Sequence, residues 1–164
     1  MSGEEVRRLG PGDVDAFLEL RCAGEASDAR FFRSTAADDE AIGRAGWEAR
    51  LARAYVVGVD GEGGLVARGG FTRLSGSKLD HKGLIWGMYV RPSHRGQGLA
   101  SAVLEALLVE AATQVRQVLL TLYAANAGAR ALYERHGFTV YAIEPEAIRG
   151  GEVYHDEALM WRRV

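Results

Sequence analysis

Cysteine is nearly absent from this chain. Cys22 is the only one in 164 residues, so no disulfide can close within the chain and no cysteine-rich metal site can be built. A single cysteine inside a stretch of helical pattern reads as a small buried apolar side chain. Long apolar runs are missing too: no segment approaches the ~20 consecutive apolar residues that cross a bilayer. The first ten residues, MSGEEVRRLG, are charged where a secretory leader has its apolar core. A cytoplasmic protein without membrane contact is expected. Nor is there an excess of charge of one sign. Twenty Lys and Arg against 22 Asp and Glu leave a net charge of -2, which provides no global basic field to attract nucleic acid. Any anion site must therefore be local.

What is present is ordinary globular composition, 48% hydrophobic and 26% charged, in proportions that favour a single core. With no internal repeat, low-complexity tract or linker, residues 1–164 read as one domain. Residues 5–9 suit a short strand. GPGD then breaks the chain, and Asp13 can cap a helix whose apolar stripe is Val14, Phe17, Leu18 and the stem of Arg21. Residues 24–39 give no clear pattern around the pair Phe31-Phe32. A second helix follows, with Ile42, Ala45, Ala49 and Ala52 at helical spacing and Trp47 and Leu51 beside them.

The period then changes. Residues 54–60, 65–74 and 81–90 read as strands joined by the turns GEGG and SGSKLD, an antiparallel meander. Gly87, inside the third strand, marks a bulge or a close approach. Residues 98–113 place Leu99, Val103, Ala106, Leu107 and Ala111 on one side of a helix. The apolar run 117–124 suits a strand buried on both faces. Residues 126–137 form a helix with Asn126 at its cap and Gly137 at its end. Two closing strands, 138–143 and 152–161, flank a loop holding Pro145 and Gly150-Gly151. The order β-α-α-β-β-β-α-β-α-β-β predicts an α/β domain, with a central mixed sheet flanked by helices.

The loop RPSHRGQGLAS (91–101) joins a strand to a helix. Gly96 and Gly98 let the main chain turn tightly and expose several N–H groups in one concavity. The first N–H groups of the helix point the same way, and its dipole adds positive potential. Arg91, His94 and Arg95 add local charge. A phosphate, or better a pyrophosphate, suits this concavity. The phosphate loop of nucleoside triphosphatases is excluded, since no Gly-Lys-Ser/Thr ending is present. A dinucleotide fingerprint also fails, because the sixth position from Gly96 is Ser101. Taken alone, the two glycines are also compatible with a plain surface turn.

The loop does not stand alone. MYVRPSHRGQGLASAVL resembles the acyl-CoA-binding motif of the GNAT superfamily of N-acetyltransferases, whose core Arg/Gln-x-x-Gly-x-Gly/Ala is met by Arg95, Gly98 and Ala100. Val90-x-Pro92 before it also fits. A second motif of the family, Asn-x-x-Ala-x-x-Leu-Tyr-x-x-x-Gly-Phe, is matched by Asn126, Ala129, Leu132, Tyr133, Gly137 and Phe138. The resemblance implies a GNAT-like, mostly antiparallel sheet whose strands splay to hold acyl-CoA. It also implies transfer of an acetyl group from acetyl-CoA, as co-substrate, to a primary amine of a small molecule or peptide. No metal is implied.

Acyl transfer to an amine needs an anchored donor, a neutral amine, a hydrogen-bond donor for the thioester oxygen and a proton for the leaving thiolate. The backbone N–H groups of Gly96, Gln97, Gly98, Leu99, Ala100 and Ser101 would hold the pyrophosphate. If the resemblance holds, main-chain groups of Met88, Tyr89 and Val90 bond the pantetheine arm like an added strand. An N–H near Met88 or Tyr89 then polarises the thioester. Asn126 and Tyr133, seven residues apart, share a helix face with Arg130 between them. The family pattern gives Asn126 to the cofactor arm and Tyr133 to the sulfur as proton donor, although a tyrosine there also suits a core aromatic. Arg130 suits either a cofactor phosphate or solvent.

The general base departs from the family pattern. Many relatives place a Glu on a central strand, but KGLIWGMYV has no acid and QVLLTLYA carries Thr121. A water relay or an acid from elsewhere is expected, with Asp80, His81, Glu144, Glu146, Tyr154, Asp156 and Glu157 as candidates. The acceptor pocket is expected around residues 24–36, the late loop 144–151, and Phe31, Phe32, Trp86 and Tyr154, with core packing the simpler role for Trp86. Two other classes stay open: a non-catalytic acyl-CoA-binding sensor, and a nucleic-acid binder using the Arg91–Arg95 cluster, which the negative charge disfavours. A homodimer through the edge of the final strands is a further expectation by analogy.

Overall fold

The computed structural model describes residues 5–164, so the first four residues of the segment read for a leader lie outside the described residues. The chain begins with β1 (Val6–Leu9), α1 (Val14–Asp28) and α2 (Ala36–Arg53). The meander follows as β2 (Tyr55–Gly61), β3 (Gly64–Arg73) and β4 (Lys82–Val90). Then come α3 (Leu99–Gln114), β5 (Gln117–Tyr123), α4 (Ala127–Arg135), β6 (Thr139–Gly150) and β7 (Val153–Arg163). This is the element order read from the sequence. The seven strands form one sheet in the order β1-β2-β3-β4-β5-β7-β6, antiparallel at every junction except β4–β5.

Strand alternation divides the core between the two faces of the sheet. Val56 and Leu65 pack with Phe17, Leu20, Trp47 and Leu51 from α1 and α2. Val57 and Val59 pack on the other face with Val103, Leu104 and Leu107 from α3, and with Met160. Each fully buried Leu or Phe contributes about 1.5–3 kcal/mol relative to an exposed one.

Two departures from regular sheet geometry prepare the site. β4 and β5 are paired only at Lys82, Gly83 and Leu84, opposite Gln117, Val118 and Leu119. Beyond those residues the two parallel strands separate and leave backbone groups free along the gap. On its other side β4 carries a bulge, where the register with β3 shifts between Arg68 and Gly70. Gly87 forms this bulge with φ +64°, and a Cβ there would stand 2.7 Å from Arg68 Nη1. Arg68 Nη1 donates to the Gly87 carbonyl at 2.7 Å, which pins the bulge. Gly87→Ala is expected to cost at least the ~1–2 kcal/mol of a left-handed non-glycine residue. At 2–4 °C per kcal/mol for a domain of this size, the thermal midpoint should fall by about 2–8 °C.

Several local expectations are corrected. Asp13 does not cap α1 with its side chain; it accepts from the Gly10 N–H at 2.8 Å in the preceding 3₁₀ turn. The buried stripe of α1 is Val14, Phe17, Leu20 and Gly24, so Leu18 is only half-buried and Cys22 is exposed. Cys22 lies on the opposite side of the helix from Leu20 and Gly24, which explains its exposure. The late loop is largely strand. β6 continues through Pro145 to Gly150, with a register shift between Glu144 and Ile148. β6 is an edge strand, where a residue without an N–H is tolerated, and the proline coincides with the bulge.

Candidate active site

The gap between β4 and β5 opens a cavity of about 1250 Å³. One half is lined by Met88, Tyr89, Val90, Arg95, Gly96, Gly98, Leu99, Ala100 and Ser101, facing Asn126 and Tyr133. The other half is lined by Phe31, Phe32, Trp86, Thr121 and Tyr123, together with several arginines. Residues 35 apart in sequence meet here because β4 and β5 run parallel and part beyond Leu84 and Leu119.

At the mouth of the first half, Gly96 and Gly98 take φ +77° and +83°, conformations that glycine adopts without steric cost. Gly98 is the N-cap of α3, so the first N–H groups of the helix are free of intrahelical partners. No atom lies within 4 Å of a Cβ built on either glycine, so the loop faces open space of the kind an anion needs. Gln97 does not line the cavity.

Arg95 does more than add charge. Its Nε donates to the Val90 carbonyl at 3.0 Å and its Nη2 to Asp28 at 2.7 Å, tying the loop to the end of α1. Burial pushes the Asp28 carboxyl up, but hydrogen bonds from Arg95 and Ser27 and the positive charges of Arg95 and Arg30 outweigh it and hold the group below its ordinary value. A carboxyl lowered in the folded state contributes stability that is fully present above its unfolded value, about pH 4. That contribution is lost as pH falls through the lower folded value. Asp28→Asn is therefore expected to narrow the difference between the thermal midpoints at pH 6 and at pH 3, and a midpoint series against pH checks it.

On α4, the Asn126 side-chain carbonyl accepts from the Ala129 N–H at 3.1 Å, which leaves its amide donor for a ligand. Tyr133 is 7% exposed and packs edge-on against Phe138 at 5.8 Å between ring centres. Burial alone raises its hydroxyl well above the usual tyrosine range, so it stays protonated and can donate. Arg130 is not brought to the cavity. It is exposed and its Nε pairs with Glu134 at 2.8 Å, while Arg135 lines the cavity.

Most candidate bases are elsewhere. Asp80 pairs with Arg73 at 3.1 Å, and the His81 carbonyl is taken by Arg116, at the end of β4 where it is still paired with β5. Asp156 accepts from the Glu146 N–H at 2.9 Å, and Tyr154 is 53% exposed. None of residues 144–151 lines the cavity. Glu157 does not line the cavity either, but it differs from the others in burial and in its neighbour. It is 3% exposed and stands directly opposite Tyr123 in the β5–β7 pairing, so both side chains share the acceptor face of the sheet. Burial pushes its carboxyl up, partly offset by Arg33, while Glu144 adds to the rise. Arg33 Nη2 lies 3.1 Å from its Oε2.

Trp86 combines packing with cavity lining, donating from Nε1 to Thr72 at 2.8 Å. The sequence reading missed Tyr123, whose hydroxyl meets His155 Nδ1 at 3.0 Å, and Arg68. Both sit inside apolar strand runs that read only as core. Among the described residues no group of three or more His, Cys, Asp or Glu could hold a metal ion. No described helix is long and apolar enough to cross a membrane.

A sheet split between two parallel strands, with a glycine-rich helix N-terminus at the mouth of the gap, defines a class of acyl-group transferases. The model of the acetyltransferase (GNAT) family matches residues 18–138, and the chain belongs to that family. In fold it is similar to yncA from Salmonella typhimurium, solved with its cofactor acetyl-CoA, at a TM-score of 0.82 and 22% identity over 99% of this chain and 94% of that one. It is similar also to an N-acetyltransferase from Staphylococcus aureus Mu50, at 0.83 and 19% over 99% of both chains. A third likeness is to the ribosomal-protein-alanine N-acetyltransferase from Brucella melitensis, at 0.76 and 20% over 98% and 99%.

Proposed function

We propose that the protein transfers the acetyl group of acetyl-CoA to the primary amine of a small molecule or peptide, by direct attack in a ternary complex. The observation that carries this reading is the gap between β4 and β5 with the Gly96–Gly98 loop at its mouth. It offers free strand-edge groups and a phosphate-sized concavity in one continuous cavity. The backbone of Gly96 to Ser101 anchors the pyrophosphate, and Met88, Tyr89 and Val90 hold the pantetheine arm by β-augmentation. The Asn126 amide donates to the same arm.

Acetyl-CoA, when bound, supplies an acyl group already activated as a thioester. An N–H of the bulged strand at Met88 or Tyr89 faces the thioester oxygen and stabilises the charge that develops there. Glu157 takes the proton from the ammonium form of the acceptor, directly or through a water, so that the neutral amine forms the new N–C bond. As the C–S bond breaks, Tyr133 donates its proton to the sulfur, and the second proton that the nitrogen loses as the amide forms returns to the Tyr133 oxygen. No cysteine lines the cavity among the described residues, so there is no thiol for a covalent acetyl relay. The lack of an acid on β4 and β5, which favours a non-catalytic acyl-CoA sensor, is met by Glu157 reaching the same face from β7.

A general base must be deprotonated, and the Glu157 carboxyl is raised. kcat/KM is expected to climb as pH rises through that value. Glu157→Gln should lower kcat/KM by about 10²-fold, in the range of general-base contributions, and remove that ascending limb. The reading itself is tested by incubating the protein with acetyl-CoA and a panel of amines, following thiol release and the mass of the acetylated product. Thiol release that needs both partners supports it.

A further inference from the structure

We infer that the acceptor is an amine that also carries an oxyanion group, a carboxylate or a phosphorus oxyacid, seated on the unpaired edge of Arg68 in a cavity that Arg50 and Arg53 also line. This inference rests on the acetyl-transfer reading above and specifies its acceptor.

Arg21, Arg33, Arg50, Arg53 and Arg68 all line the cavity. Arg21 is paired with Asp39 and also bonds Ser34, and Arg33 is paired with Glu157. The other three have no carboxylate partner among the described residues. Arg68 is the unusual one, because it is 1% exposed and a buried arginine is normally paired. Its Nη1 is used by the Gly87 carbonyl, and one face of the guanidinium lies 4.8 Å from the Phe17 ring centre. Its Nε and Nη2 have no partner.

Those two nitrogens form one edge of the guanidinium, and their parallel N–H groups match the two oxygens of a carboxylate or phosphate. Burial and the nearby Arg21 pull Arg68 down to about 9, against the opposing pull of Asp39 and Tyr89. It is still a cation at neutral pH. Asp39 Oδ1 is also buried without a partner, so a water held between Arg68 and Asp39 is the competing way to satisfy both. Arg50 stacks on Trp47 at 4.9 Å and is exposed, as is Arg53. Such a wall repels polycationic amines and attracts an anionic end group. It leaves the amine to face the gap between the strands.

The test uses matched acceptors: α- and ω-amino acids, their carboxamides, aminoalkylphosphonates and spermidine. Each is assayed for thiol release at saturating acetyl-CoA, alongside the thermal shift that acetyl-CoA alone produces. An acid is expected to exceed its carboxamide by about 10²–10⁴-fold in kcat/KM, as for a site built around a polar group that the analogue lacks. Preference between carboxylates and phosphonates identifies the anion. Arg68→Lys, which keeps the charge and loses the fork, should lower kcat/KM by a larger factor for acids than for carboxamides, since loss of the bond that pins the Gly87 bulge acts on both alike. Arg50→Gln and Arg53→Gln alter exposed side chains and should raise KM for acids several-fold with kcat retained. All three variants should keep the acetyl-CoA shift. Carboxamides or spermidine used as well as the acids, with that shift intact, would overturn the inference and leave acetyl transfer standing. A retained shift with no acid accepted also overturns it. Loss of the shift in the unaltered protein would instead sink the acetyl-transfer reading itself.

Discussion

Replacing Tyr133 by Phe is expected to lower kcat by about 10²–10⁴-fold, the range of a lost general acid, while acetyl-CoA binds nearly as before. The asymmetry follows from where the hydroxyl sits. The ring is held by Phe138 and by burial in the core cluster that α4 covers, and phenylalanine fills the same volume with the same packing. What disappears is one O–H that burial keeps protonated and that faces the cavity. A core tyrosine with no chemical role would show little change in turnover, and a binding group would show its loss in affinity. Rapid-mix and steady-state measurements on the variant, with acetyl-CoA affinity from calorimetry, separate these outcomes.

Gly98→Val should act on the other half of the reaction, weakening acetyl-CoA by about 10²-fold. Gly98 has φ +83° and no atom within 4 Å of a built Cβ. A valine there meets no neighbour in the folded chain, and only its backbone conformation is strained, by ~1–2 kcal/mol. Its methyl groups instead occupy the space in which the pyrophosphate is proposed to sit. One or two hydrogen bonds to a charged group, each about 1.5–3 kcal/mol, are lost. The expected pattern is a modest fall in thermal midpoint of the free protein and a large fall in acetyl-CoA affinity. A valine variant that binds acetyl-CoA normally would place the pyrophosphate elsewhere.

How far the sequence carried these conclusions depends on the length scale of each signal. Elements were legible where one periodicity ran uninterrupted, as in α3, where Leu99, Val103, Leu107 and Ala111 are all buried. Local chemistry was also legible: Gly87 does form a bulge and Asn126 does cap α4. The start of α2 was missed although Thr35 and Asp38 form a capping box, because turn-like residues on either side masked it. β6 was cut short at Pro145 since a proline reads as a breaker until the strand is known to lie on an edge. Arg130 was placed by helix-face arithmetic, which cannot see that Glu134 one turn on takes its charge. Glu157 was one of seven equal candidates, and its burial and its place opposite Tyr123 exist only once β7 is paired with β5. Arg68 gave no signal at all within LVARGGF, since nothing in one strand reports the covering Phe17 from α1.

Binding of the acyl donor is the point on which everything else depends, and the thermal midpoint with and without excess acetyl-CoA measures it most directly. A ligand at about 100 times its dissociation constant stabilises the folded state by about 2.7 kcal/mol. For a domain of this size, that raises the midpoint by about 5–11 °C. The predicted result is a rise of that order, abolished by Gly98→Val and kept by Tyr133→Phe. An unchanged midpoint at millimolar acetyl-CoA would contradict the assignment of the β4–β5 gap as an acetyl-CoA site, and with it the proposed transfer.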